Sequence, residues 1–173
     1  MADNLVFRDF SWDELSRDDL YRVLQLRAEV FGVEQNCVYQ DCDDLDQRSL
    51  HLLLEDASGE SKGSPSNALI GYVRVISPDP NAPMLADHAT LPSELVVGRL
   101  VVKKIHRHLG LGRSLMARAI AACSARFPEE AICIDAQRYL EPFYKTLGFE
   151  TISDMFLLDG IEHVKMRRPK DAR

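Results

Sequence analysis

The chain has 173 residues, 46% of them hydrophobic and 28% charged. That length suits one domain with a sizeable core, and that composition suits an ordinary soluble globular protein. The formal net charge of −6 argues against nucleic acid as the main partner, and no apolar stretch reaches membrane-spanning length. Cys37, Cys42, Cys123 and Cys133 have no metal-ligand spacing, and Met1 is followed by polar residues and an early Asp3, not by a basic segment and then an apolar one. The expectation is a reducing, cytoplasmic setting, with no metal and no membrane.

Residues 4–10 read as a first strand. Apolar residues at helical spacing predict a helix over 18–31, with Ser16 as N-cap and Asp18 and Asp19 near its positive end. Residues 32–48 lack a clean period and read as a long loop or a second short helix. Residues 51–55 are a predicted strand, 57–68 a polar turn, and 68–76 a strand rich in β-branched residues. The stretch 77–92 is irregular and punctuated by proline. Residues 94–104 are near-continuously apolar and predict a central strand buried on both faces. The spacing of Leu111, Leu115, Met116, Ala119, Ile120 and Cys123 predicts a helix over 110–126 with one apolar stripe. A strand over 131–136 follows, then a short helix over 139–148 ended by Gly148. Two final strands, 149–158 and 161–168, are joined at Asp159–Gly160. This order predicts a mixed α/β sheet with helices on its faces.

The charge is unevenly spread. Residues 34–60 hold eight acids (Glu34, Asp41, Asp43, Asp44, Asp46, Glu55, Asp56, Glu60) and one base, Arg48. Residues 95–128 hold seven bases and no acid. Two readings are open: two solvated patches, or a cation site and an anion site. Asp41-x-Asp43 resembles the start of a calcium loop. The sixth loop position is Asp46 and not glycine, and the twelfth is Leu52 and not glutamate, which excludes that loop.

In the acid-free window, Arg107-x-x-Gly110-x-Gly112 joins a strand to a helix. A helix start offers unpaired N–H groups and a partial positive charge, and glycines there let a bulky anion approach without meeting a Cβ. Such a cradle suits a pyrophosphate. The alternative is a plain strand-to-helix turn that needs a positive φ. A Walker A loop is absent, and a dinucleotide loop is disfavoured because Leu115 stands where its third glycine belongs.

LVVKKIHRHLGLG (100–112) resembles the strand and pyrophosphate loop of GNAT-type N-acetyltransferases, whose signature is Arg/Gln-x-x-Gly-x-Gly/Ala. Gln137 and FYKTLGF (143–149) are similar to that family's amide residue and its Phe/Tyr-Tyr-x-x-x-Gly-Phe block. LQLRAEVFGVEQNCVYQDCDDLDQRSLHLL (24–53) and DGIEHVKM (159–166) resemble the ElaA-type branch of this superfamily, so the resemblance spans nearly the whole chain. The departures are His108 and Leu109 at loop positions often held by glycine and lysine, an inserted turn at 57–67, and a basic tail.

The resemblance implies a single domain over residues 1–173 with the acyl-CoA N-acyltransferase fold. In that fold a mixed sheet is splayed between its fourth and fifth strands, with helices on both faces. It implies that acetyl-CoA lies between those strands as acetyl donor. Leu100, Val101 and Val102 would pair with the pantetheine arm, and a backbone N–H there would polarise the thioester. Arg107, His108, Leu109, Gly110, Leu111, Gly112, Arg113 and Ser114 would hold the pyrophosphate, and Gln137 the arm. Tyr144 takes the position of the general acid that protonates the leaving thiolate. Gly98 stands where many relatives carry a glutamate, which leaves the base open among Glu94 acting through water, His106 and Glu34. Glu34, Asp43 and Arg74 are candidates for the acceptor site, or the acids pair with Arg27, Arg74 and Arg99 and shape the open face of the sheet. The implied function is N-acetyl transfer to a primary amine, on a small cation, a lysine or a peptide N-terminus, by a monomer or homodimer. The main rival is a non-catalytic acyl-CoA-binding module, and a nucleotide-binding protein ranks third.

Overall fold

A computed structural model describes residues 4–58, 67–79 and 94–170. Most of the polar turn and of the proline-punctuated stretch lies outside the described residues. In chain order the elements are β1 (Leu5–Ser11), α1 (Arg17–Arg27), β2 (Ser49–Asp56), β3 (Ala68–Ile76) and β4 (Leu95–Val102). There follow α2 (Leu111–Arg126), β5 (Ile132–Gln137), α3 (Glu141–Lys145), β6 (Glu150–Thr151), β7 (Phe156–Leu158) and β8 (Ile161–Arg168). The strands run in the order β1-β2-β3-β4-β5-β8-β6, with β7 also paired to β8. Both parallel and antiparallel ladders occur, so the mixed sheet expected from the sequence is present. Among the described residues no helix is long and apolar enough to cross a membrane.

The described residues form two compact units. Those before Val75, with Arg99–Ala119, make the first; Val75–Gly98, with those from Ile120 onward, make the second. In the first unit β1 runs antiparallel to β2 from Leu5–Asp56 to Ser11–Leu50. Ser16 caps α1, its hydroxyl accepting from the Asp19 amide at 3.0 Å. The helix does not run on in α geometry to residue 31. Ala28–Glu34 is wound wider, as a π turn. Gly32 and Val33 give this segment weak α preference. Val23, Leu26 and Val30 pack with Leu53, Leu69, Tyr72 and Val101 in one buried cluster.

In the second unit β5 lies beside two strands. It pairs in parallel with β4 at Leu95–Ile132 and Val96–Cys133, and antiparallel with β8 from Ile132–Arg168 to Gln137–His163. The predicted strand over 149–158 is broken into β6 and β7. At the break the Ser153 hydroxyl accepts from the Lys165 amide at 2.8 Å, taking over a bond the ladder would have made. The stripe on α2 is as expected, with Leu111, Leu115, Met116, Ala119 and Cys123 buried and Ile120 half-buried. The expectation for β4 holds only in part. Leu95–Val97 are buried, but Gly98, Arg99, Leu100 and Val102 are half-exposed.

Gly71, on β3, is set by packing. A Cβ there would lie 2.7 Å from Leu115 Cδ1, 3.4 Å from the Val101 carbonyl and 3.5 Å from Leu54 Cβ. Leu115 and Leu54 are fully buried, and the Leu115 side chain must shift to admit a Cβ. Gly71→Ala is expected to lower the unfolding free energy by about 1–3 kcal/mol, read from urea titration. An unchanged midpoint would show that α2 shifts freely on β3.

Candidate active site

The acidic segment after the π turn does not stand free in solvent. Arg27 is fully buried at the end of α1; its Nε donates to Asp41 Oδ2 at 2.8 Å and its Nη1 to both oxygens of Asp46 at 2.9 and 3.0 Å. Arg74, on β3 and 2% exposed, donates to both oxygens of Asp43 and to Asp46 Oδ1, each at 2.7 Å. Arg99, on β4, donates from Nε to Asp41 Oδ1 at 2.7 Å and from Nη2 to Asp43 Oδ2 at 3.1 Å. Three carboxylates and three guanidiniums thus close one network, which is how buried charges become tolerable. Burial alone would raise the carboxyl of Asp43, but bonded Arg74, with Arg99 behind it, outweighs that and holds it at about 2. Asp46 is likewise held below the usual carboxylate range, the charges of Arg74 and Arg27 overcoming its burial.

His51 completes the layer. Its Nε2 lies 3.0 Å from the Asp46 carbonyl and its Nδ1 2.8 Å from the Tyr72 hydroxyl. A carbonyl only accepts, so Nε2 carries the proton and Nδ1 accepts from Tyr72. Burial pushes the His51 pKa down and keeps the ring neutral.

Arg99 has φ +54° inside a strand, a left-handed conformation that arginine rarely adopts. Its guanidinium lies over the ring of Tyr39 at 5.2 Å and of Phe31 at 6.0 Å. Nothing in the sequence marks residue 99 for such a conformation, since glycine or asparagine would be the usual choice.

Beyond β4 the chain makes a short 3-10 turn at Lys104–His106 and reaches Arg107. Arg107 Nε donates to the Val102 carbonyl at 2.9 Å, and its Nη2 pairs with Glu34 at 2.7 Å. His108 and Gly110 both have positive φ, +67° and +76°. The Gly110 carbonyl accepts from the amides of Arg113 and Ser114 at 3.0 and 3.2 Å, so α2 starts there. As at any helix start, the amides of Leu111 and Gly112 have no partner within the helix. The two glycines differ in kind. Gly110 answers to the turn, because its φ is positive. Gly112 is helical, and a Cβ added there would meet nothing within 4 Å. Neither backbone conformation nor packing requires glycine at 112.

In the second unit Glu94 precedes β4. Its carboxylate accepts from Lys165 Nζ at 2.8 Å and lies 3.5 Å from Cys133 Sγ. Burial, with the negative charge of Glu94, pushes the Cys133 thiol up to about 11. Gln137 ends β5 opposite His163. Tyr144, on α3, is 8% exposed, with Phe143 and Phe149 meeting its ring edge-on at centroid distances of 5.0 and 5.9 Å. Among the described residues its hydroxyl has no hydrogen-bond partner. Burial pushes the phenol pKa up, so it stays protonated through the neutral range.

Asp43 and Arg74, expected at an acceptor site, are brought together as a bidentate pair inside the network. Glu34 is apart from that pair and bonded to Arg107. The pairing of the acids with Arg27, Arg74 and Arg99, one of the two sequence readings, is the one the contacts display. Sequence reasoning missed the left-handed Arg99 and the rings beneath it. Among the described residues no group of three or more His, Cys, Asp or Glu side chains is placed to hold a metal ion.

These features belong to a fold with known members. The family model for the acetyltransferase (GNAT) domain matches residues 66–169. Protein ElaA of Escherichia coli is 32% identical over 164 residues, covering 94% of this chain and 95% of its own. A UPF0039 protein of Schizosaccharomyces pombe is 33% identical over 95% of this chain and 97% of its own. A Pseudomonas aeruginosa acyl-CoA N-acyltransferase superposes with a TM-score of 0.78 at 32% identity, over 95% of this chain and 99% of that one. The crystal structure of E. coli ElaA gives 0.76 at 30% identity, over 95% and 99%. The chain belongs to the GNAT acetyltransferase family, in its ElaA-like branch. Acyl transfer is the general function of that family.

The network makes stability depend on pH. Asp43 titrates near 2 when folded and near ~3.9 when unfolded, so its contribution is complete above pH ~4 and is lost as pH falls toward 2. Urea titrations at pH 7 and pH 2.5 should differ by on the order of 2 kcal/mol more in the wild type than in Asp43→Asn. Equal acid sensitivity of the two proteins would show that Asp43 is not held as described.

Proposed function

We propose that the protein is an acetyl-CoA-dependent N-acetyltransferase that works as one domain and acetylates a primary amine directly, with no acyl-enzyme. The observation that carries this reading is Gly112, a glycine at a helix start that neither backbone nor packing demands. A bulky anion approaching the amides of Leu111 and Gly112 does demand it. The 0.78 superposition on an acyl-CoA N-acyltransferase supports the same donor class.

In this reading the amides of Leu111 and Gly112, with the side chains of Arg113 and Ser114, receive the pyrophosphate, and backbone groups of Leu100, Val101 and Val102 receive the pantetheine arm and polarise the thioester carbonyl. Gln137 bonds the arm. The amine attacks the thioester carbon, the tetrahedral adduct collapses, and the C–S bond breaks. Tyr144, protonated at neutral pH, gives its proton to the departing thiolate. The proton lost by the amine leaves through water beside Glu94. The acceptor is a small cationic amine, a lysine or a peptide N-terminus, in a cytoplasmic setting.

Acetyl-CoA at a hundred times its Kd should stabilise the fold by about 2.7 kcal/mol, or roughly 5–11 °C in Tm, while ATP and NAD should not. No shift with acetyl-CoA would sink the reading. Gly112→Leu should keep the urea midpoint or raise it, and weaken acetyl-CoA binding about tenfold or more. Unaltered binding would remove the argument from Gly112. In an acetylation assay over an amine panel, Tyr144→Phe should lower kcat by about 10²-fold with little change in KM. Wild-type turnover by that variant would show that another group protonates the thiolate.

A further inference from the structure

Arg99 is the one strand residue of β4 with a positive φ, +54°. A left-handed arginine persists only where its surroundings over-determine it. Here they do. The guanidinium is gripped by Asp41 Oδ1 at 2.7 Å and Asp43 Oδ2 at 3.1 Å and lies over Tyr39. The grip itself is fixed, because Asp41 is also held by Arg27 and Asp43 by two bonds from Arg74.

A residue of this kind interrupts the alternation of a strand. Before it, Leu95, Val96 and Val97 are all buried; after it, Leu100 is half-exposed, Val101 is 2% exposed, and Val102 is half-exposed. Val101 packs in the cluster with Val23, Leu26, Leu53 and Tyr72. With residue 99 extended, a one-residue slip would turn Val101 outward and re-aim the N–H and C=O groups of 100–102. The far end of the segment is pinned as well. The Lys103 amide donates to the Ile70 carbonyl at 2.8 Å, and Arg107 Nε donates to the Val102 carbonyl.

We propose that Asp41 and Asp43, acting through Arg99, are positioning residues for acyl transfer: they hold residue 99 left-handed and thereby aim the backbone groups of Leu100–Val102 at the donor. This rests on the acetyl-CoA reading given above. It assigns to the acidic segment a role in shaping donor contacts, where charge alone suggested capture of a cationic acceptor.

The test separates backbone from side chain. In both Arg99→Gly and Arg99→Ala the two acids keep a guanidinium, Arg27 for Asp41 and Arg74 for Asp43. Only glycine accepts the positive φ without cost. Arg99→Gly should keep kcat and the calorimetric Kd for acetyl-CoA within about threefold of wild type, while Arg99→Ala should lose about tenfold or more in kcat. Asp41→Asn should lower kcat in the wild-type background and add no further loss to Arg99→Gly. Should Arg99→Ala not fold, the Asp41→Asn pair makes the same comparison. Equal losses for the glycine and alanine variants, or an undiminished Asp41→Asn effect in Arg99→Gly, would overturn the proposal. Amide hydrogen exchange in the ligand-free protein keeps the two readings apart. Faster exchange at 100–102 in Arg99→Ala than in Arg99→Gly upholds the positioning role even if acetyl-CoA proves not to bind; equal exchange refutes it.

Discussion

The first unit depends on one buried ionic layer, in which Arg27, Arg74 and Arg99 meet Asp41, Asp43 and Asp46. A buried charge without its partner costs about 3–5 kcal/mol, so the buried Arg27, Arg74 and Asp46 fix one another and the carboxylates bonded to them. The guanidiniums come from α1, β3 and β4, and the carboxylates from one irregular segment. That segment has few apolar anchors of its own. Val38 is 90% exposed, and Asn36 and Asp44 have positive φ. The charges therefore give it a fixed path that hydrophobic burial does not supply. The neutral His51, bonded to Tyr72 and to the Asp46 carbonyl, adds a directional support from β2.

The layer also explains how β4 comes to be irregular. A strand of Leu-Val-Val-Gly-Arg-Leu-Val-Val would pair regularly if left to its propensities. The tethered arginine breaks that regularity, and the burial of the strand changes from Gly98 onward. Local strain in β4 is balanced by ion pairs made elsewhere. The glycine loop follows a related logic on a smaller scale. Arg107 ties its start to Val102 and Glu34, Gly110 makes the turn, and Gly112 leaves the first turn of α2 open.

Much of this was readable in the sequence where a period or a motif had a single physical meaning. The 68–76 and 161–168 strands, the α2 stripe, the Ser16 cap and the Asp159–Gly160 turn are where patterning put them. The glycine pair was ambiguous in sequence because both residues permit either a turn or an open approach. Only φ and the space around each Cβ separate the two. The acidic block was ambiguous for another reason. Charge composition cannot tell a solvated patch from a buried network, since the arginine partners are 14 to 58 residues away in the chain. The break in 149–158 turns on one serine side chain replacing a ladder bond, and the left-handed Arg99 runs against its own propensity. Neither has a local sequence signal.

The most direct test is a crystal structure of the protein with acetyl-CoA bound. The pyrophosphate is expected on the amides of Leu111 and Gly112, the pantetheine arm bonded to backbone groups of Leu100–Val102, and Arg99 still left-handed and held by Asp41 and Asp43. Acetyl-CoA bound away from Gly112, or an extended Arg99 released from both acids in the complex, would contradict that arrangement.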